Sequence, residues 1–386
     1  MKKILLMNKI SPVGLDLLDK NKYLLSTDVE APDAIMVRSA KLNDMAFPPS
    51  LTAIVRSGAG VNNIPVERCT KEGIVVFNTP GANANGVKEL AVCALVLASR
   101  DVLGGVEFVK GLRGGGDVAK AVESGKSAFV GHELLGKTLG VIGLGAIGGM
   151  VANAASALGM NVIGCDPYIT TRAAWSLAPS VKQANNYDEI FEKCDYITLH
   201  VPATAQTKGM ISEAAIAKMK QGVRLINLAR ADLVDAAAVK RGLEQGKIAK
   251  YVTDFPTEET VGVDGVINIP HLGASTFESE DHCAIMAAKQ MDEYLTNGNI
   301  SCSVNFPGVS LPHTSGARVC LMHKNVPNML SQITSAFSAE GVNIDNLANG
   351  SKGEVAYTIV EVSERPKEEI LEKLTKIEGI IKIRLY

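Results

Sequence analysis

Several features that mark other classes of protein are absent from this sequence. Lysine plus arginine number 39 and aspartate plus glutamate 41, so the net charge is −2 and no charge excess points to a nucleic-acid binder. The longest apolar run, near residues 90–98, is far shorter than the roughly 18 residues that a membrane span requires. The apolar stretch after Lys3 is too short for a signal peptide.

Cysteine is present but follows no pattern. The seven cysteines are scattered, and no two of them form a C-x-x-C pair. This spacing argues against a disulfide framework and against a zinc site, so we expect a reduced cytoplasmic protein that holds no metal. Hydrophobic residues make up 46% and charged residues 21% of the 386 residues, which is the composition of a globular chain and excludes disorder.

Short apolar runs alternate with helical patterns through the first 300 residues. Continuous apolar runs predict parallel strands buried on both faces, and their alternation with helices predicts a doubly wound α/β fold. The first predicted set of strands comprises residues 3–7, 34–37, 53–55 and 74–77, and the second comprises 139–142, 161–165, 196–200, 224–229, 251–253 and 266–269.

The pattern changes after a polar stretch that contains Pro307 and Gly308, where we place a linker at 306–316. Residues 317–386 then follow the order strand, helix, strand, strand, helix, strand. This order predicts a separate ferredoxin-like domain at the C-terminus.

A glycine-rich motif lies at the start of the second strand set. Residues Gly143, Gly145 and Gly148 form a G-x-G-x-x-G with Ala146 and Ile147, between a predicted strand and a predicted helix. Asp166 ends the next strand, 23 residues after Gly143 (166 − 143). The motif alone could be a structural turn, but the strand, helix and acid together predict a dinucleotide site. The charge of Asp166 would repel a 2′-phosphate, so we expect NAD as the cofactor.

Three chemically distinct groups follow consecutive strands of the same set. Arg230 follows one strand, Asp254 with Glu258 and Glu259 follows the next, and His271 follows the last. Ligands bind at this edge of parallel sheets. A guanidinium suits a substrate carboxylate, and an imidazole can exchange the proton of a hydroxyl group.

At this point the sequence resembles the D-isomer-specific 2-hydroxy-acid dehydrogenase family over its first 305 or so residues. Besides the glycine motif, the resemblance is carried by Arg56-Ser-Gly-Ala-Gly-Val-Asn-Asn63, Asn78-Thr-Pro80, Glu89-Leu-Ala91, His200-Val-Pro202, Asn227-Leu-Ala-Arg230 and Pro270-His271-Leu-Gly273. It implies a flavodoxin-like substrate domain (1–90 and 277–305), an inserted Rossmann NAD-binding domain (91–276) and a C-terminal ACT regulatory domain (317–386).

The resemblance also assigns roles to residues. Arg230 would bind substrate, His271 would be the acid/base, and Glu259 its carboxylate partner. The segment Thr253-Asp254-Phe255-Pro256-Thr257-Glu258-Glu259 departs from the family pattern, and a gap would bring Glu258 into that place instead. The implied cofactor residues beyond the motif and Asp166 are His200, Val201, Pro202, Ala229, Asp254 and Gly273. The implied substrate residues of the other domain are Arg38, Arg56, Ser57 and Gly58, with Arg38 at a phosphate group.

The resemblance implies oxidation of 3-phosphoglycerate to 3-phosphooxypyruvate with NAD, at the entry to L-serine synthesis. Two alternatives stay open: a reductase of another 2-keto acid such as hydroxypyruvate or glyoxylate, and a non-catalytic NAD-sensing corepressor. For the C-terminal domain, the resemblance places an effector L-serine between His323, Asn325 and Asn343; a role in dimerisation alone is the alternative. Asn328 stands where the family has glycine. We expect a homodimer or homotetramer that binds neither nucleic acid nor membrane.

Overall fold

The structure, a computed structural model, describes residues 1–312 and 316–386, and the chain divides into two compact units. Unit 1 comprises residues 1–83 and 280–386, and unit 2 comprises 84–279. Part of the predicted linker, 313–315, lies outside the described residues. The predicted domain limits stay predictions.

The first part of unit 1 is a five-stranded sheet whose strands all run parallel, in the order β2-β1-β3-β4-β5. This is the flavodoxin-like order. Its elements are β1 (Lys2–Met7), α1 (Pro12–Leu15), β2 (Tyr23–Ser26), β3 (Ala34–Val37), β4 (Ala53–Arg56), α2 (Val66–Lys71) and β5 (Val75–Phe77). Every residue of β3 is buried, as the continuous apolar run predicts for a central parallel strand.

Unit 2 is built around a seven-stranded parallel sheet in the order β12-β11-β10-β9-β6-β7-β8. Its helices are α3 (Ala84–Ser99), α4 (Val102–Gly111), α5 (Val118–Gly125), α6 (Ala146–Ala157), α7 (Thr171–Trp175), α8 (Tyr187–Lys193), α9 (Glu213–Lys218) and α10 (Ala236–Glu244). Its strands are β6 (Thr138–Ile142), β7 (Asn161–Cys165), β8 (Lys182–Gln183), β9 (Tyr196–Leu199), β10 (Val223–Asn227), β11 (Ile248–Thr253) and β12 (Val266–Asn268).

The order of these strands places the glycine motif at the centre of the sheet. The chain runs outward from β6 to β7 and β8, and then returns to β9 on the other side of β6. Strand order therefore reverses next to β6, which is where Rossmann sheets bind dinucleotides. Helices α8, α9 and α10 are each preceded by an N-cap residue whose side chain accepts a backbone N–H bond, namely Asn186, Ser212 and Asp235.

Unit 1 continues through α11 (Phe277–Asn297), whose first three residues precede the unit boundary, and into a four-stranded antiparallel sheet in the order β14-β15-β13-β16. Its elements are β13 (Ala317–Lys324), α12 (Met329–Ser338), β14 (Ile344–Lys352), β15 (Val355–Val362), α13 (Glu368–Thr375) and β16 (Ile380–Leu385). The α/β class with flavodoxin-like, Rossmann and ferredoxin-like parts is thereby confirmed. No helix of the described residues is long and apolar enough to cross a membrane.

The C-terminal sheet packs one face on its own two helices and the other on the flavodoxin-like part of the same unit. The second face joins one hydrophobic core with α11, in which Met322 and Tyr357 of the sheet meet Tyr294 of the helix. The Tyr357 hydroxyl donates to the carbonyl of Gly298 (2.6 Å), and Arg384 Nη2 donates to the carbonyl of Gly73 (2.7 Å). The C-terminal domain is therefore docked on its own chain.

Arg318 is the largest fully buried side chain in this junction. Its guanidinium lies 2.5 Å from a buried Glu361 oxygen and also donates to the carbonyl of Asn297 (2.7 Å), to Asn299 Oδ1 (2.9 Å) and to the carbonyl of Leu311 (3.0 Å). One cation therefore connects the end of α11, the segment after it and the C-terminal sheet.

Substituting Arg318 by alanine should lower the free energy of unfolding by about 3–5 kcal/mol, because a buried carboxylate loses its cation. Urea denaturation monitored by circular dichroism measures this loss. Arg241→Ala is the control, since Arg241 pairs with Glu213 on the exposed surface and its loss should cost under about 1 kcal/mol. Equal effects of the two substitutions would contradict a structural role for Arg318.

Candidate active site

The glycine motif forms a tight turn between β6 and α6. Gly143 has φ +91°, and a Cβ added there would lie 2.5 Å from the carbonyl oxygen of His200, so only glycine fits. A Cβ at Gly148 would lie 1.8 Å from the carbonyl oxygen of Gly143. Both glycines let the helix approach the sheet closely.

Gly145 differs, because a Cβ added there would meet no atom of the described residues within 4 Å beyond its chain neighbours and its own helix backbone. Gly145 and Ala146 are exposed at the first turn of α6, and Ile147 is half-buried beside them. The helix therefore opens its N-terminal N–H groups to free space, which is the arrangement that receives a pyrophosphate. The residues present fit a dinucleotide.

Asp166 closes the turn from the end of β7. Its two carboxylate oxygens accept from the backbone N–H groups of Leu144 and Tyr168, each at 2.9 Å. These bonds fix the carboxylate beside the glycine turn, where it can accept further bonds from ribose hydroxyls.

His200 and Val201 line the other side of the turn, because β9 is the neighbour of β6, and Pro202 follows them along the chain. The Nε2 atom of His200 lies 3.0 Å from Thr198 Oγ1, and burial lowers the pKa of His200 to about 4. His200 is therefore neutral at physiological pH and adds no positive charge beside the glycine turn.

A buried asparagine shapes the loop that carries Arg230. Asn227, at the end of β10, accepts from the N–H of Ala229 (3.2 Å) and donates to the carbonyl of Arg230 (2.8 Å). The Arg230 side chain is exposed, and its Nη1 donates to the Ala229 carbonyl (2.6 Å).

Phe255 brings Arg230 and His271 to one place. The guanidinium carbon of Arg230 lies 5.7 Å from the centre of the Phe255 ring, and the His271 ring centre lies 4.5 Å from it. Both are within the range of ring interactions. The loops after β10, β11 and β12 thus place a guanidinium and an imidazole around one aromatic ring.

The acid next to this pair is Asp254, which is almost completely buried. Burial raises the pKa of Asp254, while the N–H of Gly273 (3.1 Å from Oδ2) and the charges of His271 and Arg230 oppose the shift. Its other oxygen, Oδ1, is buried and has no hydrogen-bond partner among the described residues. An orphaned buried acceptor suits a donor supplied by a ligand, such as the carboxamide of a nicotinamide.

Glu258 and Glu259 are both exposed. Within residues 1–312 and 316–386, no hydrogen bond or ion pair joins either of them to His271, so the partner assignment stays a prediction. Asp254 interacts electrostatically with His271 in the same structure.

Unit 1 collects the four predicted substrate residues at the carboxyl ends of β3 and β4. Arg56 Nε donates to the carbonyl of Arg38 (2.9 Å), and the N–H of Ser57 donates to the carbonyl of Val37 (2.8 Å). Gly58 follows, and its carbonyl accepts from the N–H of Thr79 (3.1 Å). The two arginines are therefore held beside each other.

The three predicted effector residues lie at two different ends of the C-terminal sheet. His323 is buried between the Lys324 carbonyl and Thr358 Oγ1 (2.8 Å each), and it pairs in register with Ala356. Asn325 follows β13 and donates to the carbonyl of Gly353 (3.1 Å).

Asn343 precedes β14, whose first residue, Ile344, pairs with Val362 at the far end of β15. Six residues of β15 separate Val362 from Ala356, which corresponds to about 20 Å. One chain therefore does not bring Asn343 to His323. Asn328 has a positive φ of +66°, the conformation that glycine adopts most easily. Asparagine tolerates this conformation better than most residues, which explains how it can stand where the family has glycine.

Sequence reasoning missed Asn227 as the residue that shapes the Arg230 loop and Phe255 as the contact between Arg230 and His271. Asn227 was visible as a polar residue at the end of a buried strand. Phe255 carried no signal, because a lone aromatic residue after a strand is usually part of a core.

A Rossmann-type sheet with a glycine turn, an acid fixed beside that turn and an arginine–histidine pair is typical of an NAD-dependent oxidoreductase, and the comparisons agree. Residues 107–275 match the family model "D-isomer specific 2-hydroxyacid dehydrogenase, NAD binding domain", and residues 320–382 match an "AHAS small subunit-like ACT domain". The predicted cofactor, NAD, and the predicted ACT domain are confirmed.

The chain belongs to the D-isomer-specific 2-hydroxyacid dehydrogenase family. It is 33% identical to D-3-phosphoglycerate dehydrogenase of Haemophilus influenzae, over 87% of this chain and 82% of that protein. It is 30% identical to D-3-phosphoglycerate dehydrogenase 1 of Saccharomyces cerevisiae, over 99% and 87% of the two chains. The crystal structure of NAD⁺-bound 3-phosphoglycerate dehydrogenase of Entamoeba histolytica is similar, with a TM-score of 0.61, 28% identity and coverage of 79% and 98%.

Asp166→Ser should weaken NADH binding roughly 10- to 100-fold, which corresponds to the loss of charge-assisted hydrogen bonds to the ribose. It should also narrow the preference for NADH over NADPH, because the repulsion of a 2′-phosphate disappears. Fluorescence titration with both nucleotides measures the two affinities. Asp188→Ser, which removes an exposed carboxylate of the same unit paired with Lys218, should leave both affinities unchanged. Unaltered NADH binding by the Asp166 variant would refute this role.

Proposed function

We propose that this protein oxidises 3-phospho-D-glycerate to 3-phosphooxypyruvate with NAD, as the first step of L-serine biosynthesis. The observation that carries the proposal is the placement of Arg230 and His271 around Phe255, beside the buried Asp254. A carboxylate anchor, a proton acceptor and a cofactor-facing acid are the groups that oxidation of a 2-hydroxy acid requires. The D-3-phosphoglycerate dehydrogenase relatives supply the substrate class.

Each residue has one role. Arg230 binds the substrate carboxylate with its planar fork. His271 accepts the proton of the C2 hydroxyl group while the hydrogen on C2 leaves as hydride, and it returns that proton in the reverse reaction. Bound NAD⁺ supplies the hydride acceptor. Asp254 Oδ1 would accept a hydrogen bond from the carboxamide of the nicotinamide. Gly273 donates its N–H to Asp254, and the carbonyl of Ala229 accepts from Arg230, so both residues support the cofactor side of the site.

The carboxylate partner of His271 that we propose is Glu259, with Glu258 as the alternative. Both side chains are exposed and follow β11, the strand that precedes the loop of Phe255, whose ring contacts the imidazole. A carboxylate there favours the imidazolium that forms when the hydroxyl proton is taken up.

The phosphate end of the substrate is assigned to Arg38 and Arg56, with Ser57 and Gly58 next to them. A guanidinium recognises phosphate oxygens in a fixed fork geometry. Because the protein has a net charge of only −2, local cations must provide this recognition.

We further propose that the reaction takes place in the cytoplasm. Each of the seven cysteines is free, as expected in a reducing compartment.

We also propose three domains: a substrate domain (1–90 and 277–305), a cofactor domain (91–276) and a regulatory domain (317–386). The regulatory domain would bind L-serine between His323, Asn325 and Asn343 in a homodimer or homotetramer.

The test of the activity is NADH absorbance with 3-phosphoglycerate, hydroxypyruvate, glyoxylate and 2-oxoglutarate as substrates. We expect turnover of 3-phosphoglycerate, with kcat reduced about 10²- to 10⁴-fold by His271→Asn. Arg38→Ala should raise KM for 3-phosphoglycerate while leaving kinetics with D-glycerate unchanged. The exposed Arg241→Ala is the matched arginine control.

Faster turnover of an unphosphorylated keto acid would replace this function with that of a 2-keto-acid reductase. Binding of NAD without turnover of any of these substrates would favour a corepressor-like protein.

Inhibition by L-serine should require two copies of the chain, because about 20 Å of β15 separates His323 from Asn343 within one copy. His323→Ala and Asn343→Ala should each abolish inhibition. Co-expression of the two variants should restore part of it, since a mixed dimer contains one intact site. If the mixed oligomer has the mass of the wild-type oligomer but is still not inhibited by L-serine, dimerisation would be the only role of the domain.

A further inference from the structure

The arginine assigned to the substrate phosphate already contacts a carboxylate of its own unit. Arg38 Nη2 lies 2.6 Å from Glu280 Oε1, and the two side chains are 42% and 40% exposed. Glu280 carries no role in the function proposed above. The Glu280 carboxylate therefore lies on the same guanidinium that we assign to the substrate phosphate.

The two residues come from rigid elements that meet at the carboxyl edge of the flavodoxin-like sheet. Arg38 follows the fully buried strand β3, and Glu280 is the fourth residue of α11. The helix is fixed one turn further on, where Ala284 packs against Gly14 so closely that a Cβ on Gly14 would lie 2.3 Å from the Ala284 backbone. The backbones are therefore fixed, while both side chains are partly exposed to solvent.

A second cation lies beside the pair, because Arg56 Nε donates to the Arg38 carbonyl (2.9 Å). Cys283, one turn along α11 from Glu280, is buried and close enough to interact with Arg38, Arg56 and Glu280, but burial raises the pKa of its thiol, so it is neutral. Among the described residues named here, the cluster combines two guanidinium groups with one carboxylate.

We propose that Glu280 sets the affinity of this cluster for phosphate by competing for the guanidinium of Arg38. An incoming phosphate must displace the carboxylate or share Arg38 with it, and in both cases the charge of Glu280 opposes binding. Because the effect passes through Arg38, Glu280 is a positioning residue. This inference rests on the proposed function, which assigns the phosphate group to Arg38.

The competition acts equally on every anion that uses this cluster. A phosphorylated hydroxy acid has a second anchor, its own carboxylate, and stays bound despite the penalty at the phosphate end. Free inorganic phosphate has only that end, so the same factor weakens an affinity that has no second anchor. Glu280 therefore limits how tightly phosphate-bearing ligands are held at Arg38 without changing their relative affinities.

The test uses Glu280→Gln in the full-length protein, because glutamine keeps the length of the side chain and removes its charge. We expect the Kd of inorganic phosphate, measured by calorimetry, to fall about 3- to 5-fold, which is the size of a partly exposed ion pair. KM for 3-phosphoglycerate should fall by a similar factor, kcat should change less than about 2-fold, and KM for D-glycerate should not change.

Glu72→Gln is the matched control, since Glu72 is an exposed glutamate of the same unit that pairs with Arg68 instead. It changes the net charge equally and should leave phosphate binding unchanged. Glu280→Ala provides a second charge-free variant, and circular dichroism verifies that each variant folds.

A rise in Kd and KM in Glu280→Gln would overturn the proposal, because it would mean that Glu280 orients Arg38 for phosphate. Unchanged constants would overturn it as well. The binding test and the activity test can also give different answers. If Glu280→Gln binds phosphate more tightly but the wild-type protein does not oxidise 3-phosphoglycerate, the role of Glu280 is supported and the proposed activity is refuted.

Discussion

Parallel pairing of the strands is the constraint on which both candidate sites depend. In each of the two doubly wound sheets every strand runs in the same direction, so the loops after the strands all open at one edge. This places Arg38 beside Arg56 in one sheet, and the glycine turn, Asp166, Arg230 and Asp254 along the other. The buried apolar strands position these polar groups without any of them having to contribute to the core.

The sheets bring these loops near one another, and buried polar groups then fix the conformation of each loop. Asn227 is completely buried and uses its amide to hold the loop that carries Arg230. Asp254 is held by the N–H of Gly273 and keeps one oxygen without a partner among the described residues. In the C-terminal part, Arg318 connects three segments through one guanidinium. Such groups are costly to bury unless their bonds are made, so they favour one arrangement of the loops over others.

The contrast between the acids of the β11 loop shows how burial divides chemically similar residues. Asp254 is buried, so the pKa of its carboxyl rises and its hydrogen bonds become specific. Glu258 and Glu259 are four and five residues further on and face solvent. The spacing along the chain could not show which of these acids is buried, because solvent access depends on how the loop packs in the folded protein.

The sequence by itself determined the α/β class, the strand ends that carry Gly143, Asp166, Arg230 and His271, and the ferredoxin-like C-terminal part, because buried strands and glycine turns leave local patterns. It did not reveal the short edge strands β2 and β8, where exposed residues weaken the apolar signal. Only the tertiary structure decided that Phe255 contacts both Arg230 and His271, that Glu280 forms an ion pair with Arg38, and that the C-terminal sheet packs against α11. Those contacts join residues distant in sequence, and their geometry follows from packing, which no local pattern encodes.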